Sequence, residues 1–191
     1  MIRQLSHLRK KPCGMSRWLV MAMSLVVLGA LSAPTAFAHR QDHGGKWPSS
    51  NYTYYMNLNG HTWYADNVIR PAAANWGQNT KFNIGEAAAT SAQVSVTVDT
   101  YLGDWFGDAR PGPDKTCCTY TYGYVKINHN LTKDLSERHK RTVTVHEMGH
   151  VIGLSHNDIQ SIMNRSGSAL FYTYNIVNPQ PHDTNDVANI Y

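Results

Sequence analysis

A chain of 191 residues, 42% hydrophobic and 16% charged, has the length and composition of one globular domain with a single core. Its formal charge is +4, but five of the 17 Lys and Arg residues precede Ala38 and none of the 13 acidic residues does. From His39 onward 12 basic side chains stand against 13 acidic ones, a net charge of −1, which excludes a basic nucleic-acid-binding face.

The first element in chain order is a targeting segment. Arg9, Lys10, Lys11 and Arg17 precede an apolar run from Trp18 to Leu31, and SAPTAFA follows, with small residues at Ala36 and Ala38. That order describes a secretory signal cleaved after Ala38. A retained membrane anchor is the alternative for the same residues, but a bilayer span needs about 20 apolar residues and Ser32 and Pro34 interrupt this run sooner. The expectation is a signal peptide over residues 1–38 and one domain over 39–191, secreted and extracellular, with no stable membrane association after cleavage.

Residues 51–59, NYTYYMNLN, favour a strand. HTWYADNVIRPAAANW, 61–76, changes to helical spacing, with Val68, Ala72 and Trp76 four apart and Pro71 either kinking that helix or starting it. QVSVTVDTY, 93–101, alternates with period two and predicts a second strand. A polar segment bearing Gly and Pro, Gly103 to Lys115, reads as a connection, and YTYGYVKIN, 120–128, as a third strand. After Cys13 leaves with the signal, Cys117 and Cys118 remain. Adjacent Cα atoms lie about 3.8 Å apart, below the usual disulfide range, so a strained vicinal disulfide, two thiols and one intermolecular link all stay open.

The strongest helix follows, LSERHKRTVTVHEMGHVIG, with Asp134 or Ser136 as its N-cap and Gly153 at its end. Strands, helices and a closing irregular stretch in this order predict an α+β domain. Within the helix, His146 and His150 are four apart, so they lie about 40° apart around the axis and one turn along it, able to grip one ion. Glu147 is rotated about 100° from His146, which suits a base acting on a water rather than a ligand. Gly153 can adopt the left-handed conformation that ends helices, and a turn of the chain there would bring His156 back as a third ligand. Three neutral imidazoles suit Zn²⁺ and leave a position open, the mark of a catalytic rather than a structural site. Five specified positions recur by chance on the order of once in ten thousand such chains, which sets three exposed surface histidines aside. Val145, Met148 and Ile152 are expected to pack inward.

HEMGHVIGLSH resembles, at every specified position, the extended zinc signature of the metzincin metallopeptidases. SIMN, 161–164, resembles the Met-turn of that family, which would place Met163 beneath the zinc. Similarity to the matrixin-like branch extends to KWPSSNYTYYM as first strand, GYVKINHNL as the strand feeding the helix, and HDTNDVANIY as the closing helix. The resemblance implies a twisted mixed sheet with an active-site helix, a second long helix and a C-terminal helix. It implies one catalytic zinc, held by His146, His150 and His156, and a monomer that hydrolyses peptides or proteins with Glu147 as general base on a zinc-activated water. An extended substrate would lie along the edge around Phe106 to Arg110, contacting Asp108, Ala109 and Arg110, with Leu170, Phe171 and Tyr172 as pocket wall. Asp104, Asp108 and Asp114 offer oxygens to calcium. Two departures stand out. Arg165 occupies a place where family members often carry Tyr, and Asn157 follows the third histidine, which fits none of the best-known subfamilies. A secreted adhesion or toxin module that binds the metal without turnover is the alternative reading.

Overall fold

The computed structural model describes residues 44–113 and 119–191; the expected signal peptide, the pair Cys117 and Cys118, and Asp114 lie outside them. Period-two runs build the sheet: β1 (Asn51–Asn57), β3 (Val94–Asp99) and β5 (Tyr122–Asn128) fall within the three expected strands. Val94, Val96 and Val98 of β3 and Val125 and Ile127 of β5 are fully buried, and the residues that alternate with them, Ser95, Thr97, Tyr124 and Lys126, are partly exposed.

Two further strands complete the sheet, β2 (Asn83–Glu86) and β4 (Gly107–Gly112). The order is β2-β1-β3-β5-β4; the first four strands are parallel and β4 runs antiparallel to β5. The segment expected as a connection between Gly103 and Lys115 therefore contains an edge strand. Gly107, Pro111 and Gly112 disguise it, because they lower strand propensity, yet an edge strand pairs on one side only and tolerates them.

The helical segment around Pro71 is more finely divided than its spacing suggests. Ala65–Ile69 forms a π-helical turn, with Arg70 N–H bonded back to Ala65 O, and α1 (Arg70–Asn79) continues with Pro71 in its first turn. Proline has no N–H to give to a carbonyl four residues back, and the wider turn before it absorbs that loss. Val68, Ala72 and Trp76 are all fully buried, and Trp76 Nε1 donates to Val145 O at 2.9 Å, fixing α1 on the next long helix.

That helix, α3 (Glu137–Ile152), follows the single turn α2 (His129–Thr132). Ser136 caps it, its Oγ accepting from His139 N–H, and Glu137 stands in the first turn, where negative charge is favoured. Every residue from Thr142 to Ile152 is buried, between α1 on one side and β4 and β5 on the other. The closing helix α4 (Pro181–Ile190) starts with a reciprocal capping box between Gln180 and Asp183. Tyr191 Oη then donates to Ile152 O at 2.6 Å and ties the end of α4 to the end of α3. The result is an α+β domain with a mixed five-stranded sheet. Among the described residues no helix is long and apolar enough to cross a membrane.

Candidate metal centre and cleft

The centre is assembled where α3 stops. Gly153 has φ 116° and its N–H reaches Gly149 O and His150 O, while Leu154 N–H also reaches Gly149 O. These bonds satisfy the last carbonyls of the helix and reverse the chain. His156 is thereby carried back to the pair on α3: its Nε2 lies 3.0 Å from that of His146 and 3.1 Å from that of His150.

Two backbone carbonyls orient the buried rings. His146 Nδ1 lies 2.7 Å from Ile162 O and His150 Nδ1 lies 2.8 Å from Leu154 O. A carbonyl only accepts, so each Nδ1 carries the proton and each Nε2 presents a lone pair to the shared point. These three side chains are the group among the described residues placed to hold a metal ion. A tetrahedral ion with bonds of about 2.0–2.1 Å to nitrogen separates two ligand nitrogens by about 3.4 Å, a few tenths of an ångström beyond the observed spacing. The nitrogen donor set fits a borderline-soft transition metal better than calcium or magnesium.

Burial keeps the rings neutral. It holds His146 well below the usual histidine range and His150 down at about 4, with His150 and His156 also disfavouring a proton on His146 and His156 one on His150; His156 is lowered by its partial burial and then by Arg165. In the metal-free protein, the imidazole NMR signals of His146 and His150 should stay in the Nδ1–H neutral form as pH falls from 7.5 to 5.5, His150 titrating only near 4. A midpoint near 6.5 for either would refute this. Stability against pH is a poorer readout. A depressed histidine makes the fold lose stability as pH falls below 6.5, because the unfolded chain takes the proton first. Burial of Glu147, reinforced by Asp108, pushes its carboxyl up to about 8, and that contribution runs the other way, being lost as pH rises through 8.

Glu147 is 7% exposed and lines the same cleft as the histidines. The cleft, about 680 Å³, runs between β4 and the chain after Met163. Asp108, Ala109 and Arg110 line it from β4, and Leu170 and Phe171 line it from the π-helical turn Ala169–Thr173. Tyr172, expected beside them, is not part of the wall: it is 74% exposed and its ring packs edge-on against His139. A helical turn sends successive side chains in different directions, so the third residue in the row points away. Asp108 lies 3.8 Å from Lys126 Nζ and Asp104 is exposed, and neither belongs to a group of three possible metal ligands among the described residues. Arg165 lines the cleft and is paired with Asp158 at 2.7 Å.

Met163 is 1% exposed, and its sulfur fills the space that a side chain at Gly149 would need. The methionine therefore packs against α3 at the glycine between Glu147 and His150. Asn157 closes the loop that carries it. Asn157 N–H donates to Met163 O at 2.9 Å, Arg165 N–H donates to Asn157 O at 3.0 Å, and the Asn157 side chain engages Ser161, whose Oγ accepts from Met163 N–H. The residue that matched no subfamily is thus a structural clasp.

Two contributors escape a reading of the sequence. Asp183, fully buried, accepts at one oxygen from Gln180 N–H (2.7 Å) and from Ile162 N–H (3.0 Å); it thereby pins the residue whose own carbonyl, in the next peptide, holds His146. Gly107 of β4 is the second, lying directly against Glu147. A glycine inside a strand hints at a close approach, but nothing local names the partner. No model of a known protein family matches the chain, and no curated protein matches it either.

Proposed function

We propose that this chain is a secreted zinc-dependent endopeptidase, a matrixin-like member of the metzincins. One observation carries the reading: three imidazole nitrogens converge in an open cleft with the buried carboxylate of Glu147 beside them and the edge strand β4 along its rim. His146, His150 and His156 would hold the ion. When bound, zinc supplies Lewis-acid polarisation of a carbonyl oxygen, acidifies a water, and adds positive charge that favours the ionised form of Glu147.

The chain's own groups do the rest. Glu147, set in a desolvated position, accepts a proton from the attacking water and returns it to the departing amine. Among the described residues β4 pairs only with β5 in the sheet, and its other edge would receive an extended peptide by strand addition, with Leu170 and Phe171 as an apolar wall. Export and removal of residues 1–38 belong to the same reading, so the protein to assay begins at His39. A mixed peptide library incubated with it should be cut internally, and a chelator should abolish the cutting. Absence of hydrolysis with zinc present would leave the binding-module alternative.

A further inference from the structure

Gly107 sits in extended strand β4, and its backbone is not in the left-handed region, so no conformational need calls for glycine there. Glycine inside a strand costs conformational entropy and offers no packing. What distinguishes the position is space. A Cβ added at Gly107 would stand 2.6 Å from Glu147 Oε1 and 2.7 Å from its Cδ, closer than atoms of this kind approach. All three nearest neighbours of that Cβ belong to Glu147.

The backbones on either side of this contact are held, so room for a Cβ at 107 has to come from displacing the Glu147 side chain. Glu147 lies in the stretch of α3 that is buried throughout, and α3 is held on its far side by Trp76 at Val145 O and, one residue beyond Met148, by Met163 at Gly149. β4 is fixed in turn by its ladder to β5, with Gly107 opposite Ile127, and Asn128 N–H holds Phe106 O just before it. Helix and strand thus meet at fixed separation, and the Glu147 side chain occupies the gap left by a missing methyl group.

We infer that Gly107 is a positioning residue for Glu147: the absence of a side chain at 107 sets the place in the cleft where the carboxylate stands. Its significance for turnover rests on the peptidase reading above, whereas the contact itself does not.

The experiment is a double-mutant cycle on the protein beginning at His39, with Gly107→Ala, Glu147→Ala and the pair. Without metal, Gly107→Ala should lower Tm by about 5 °C, the usual size of an overpacking penalty in a domain of this length. In the Glu147→Ala background the same change should be neutral or raise Tm, since it then only restricts the unfolded chain. With zinc, Gly107→Ala should keep one ion per chain and a KM within about twofold of the parent, while kcat falls about 100-fold or more as the base is displaced. If Gly107→Ala fails to fold but the pair folds, the inference stands; if neither folds, it falls. Equal Tm changes in both backgrounds, or parental turnover by Gly107→Ala, would overturn it. A parent that cuts no peptide would remove the peptidase reading, and the metal-free cycle would still decide the contact.

Discussion

Glu147→Gln should lower peptide hydrolysis by about 10²- to 10⁴-fold, the usual range for losing a general base, and leave the metal content at one ion per chain. Glutamine keeps the size of the side chain and fits the same gap against Gly107, so packing survives. It also removes the cost of an ionised group in a buried place, where the carboxyl is already pushed up to about 8. The metal-free variant should therefore be at least as stable as the parent at neutral pH, and more so above pH 8, where the parent must bury a charge. The combination is diagnostic: lower turnover, equal zinc, equal or higher Tm. Unchanged hydrolysis by the purified variant would show that another group takes the proton.

His150→Ala should reduce zinc affinity by more than about 100-fold, beyond the range typical of losing an outer hydrogen-bond partner of a metal ligand, because one of three nitrogens is gone. Metal analysis after dialysis should find almost none bound. The substitution also empties buried volume and leaves Leu154 O without the Nδ1–H that reaches it, so the metal-free protein loses stability too. The informative quantity is the zinc-dependent rise in Tm. At a thousandfold excess over Kd an ion that binds only the folded state stabilises it by about 4 kcal/mol, and that increment should vanish in the variant. Undiminished zinc in His150→Ala would remove the triad as the ligand set.

Elements built by local rules were legible. Alternating valines foretold β3, the Val68, Ala72, Trp76 stripe foretold a buried helical face, and the four-residue step from His146 to His150 with Gly153 beyond foretold the convergence of three rings. In each case the deciding residues are close in sequence and governed by a fixed period or a single backbone conformation. What stayed hidden depends on distant partners. β4 lacks a strand's composition and exists because β5 offers it a ladder. Asn157 looks like an ordinary polar residue until Ser161 and Met163 close around it. Tyr172 was grouped with Leu170 and Phe171 by adjacency, although the helical turn separates their directions.

The link from Asp183 through Ile162 to His146 bears on what an eleven-residue motif can carry by itself. His146 receives its orientation from a residue sixteen positions downstream, and that residue is gripped by one twenty-one positions further on. The segment from His146 to His156 therefore names the atoms that bind without containing the instructions for aiming them. Transplanted onto a foreign helix, it would keep His150 aligned through Leu154, which travels with it, but release His146 to present either nitrogen. Portability ends there: this centre is a property of the tertiary structure, spelled locally and enforced from the far end of the domain.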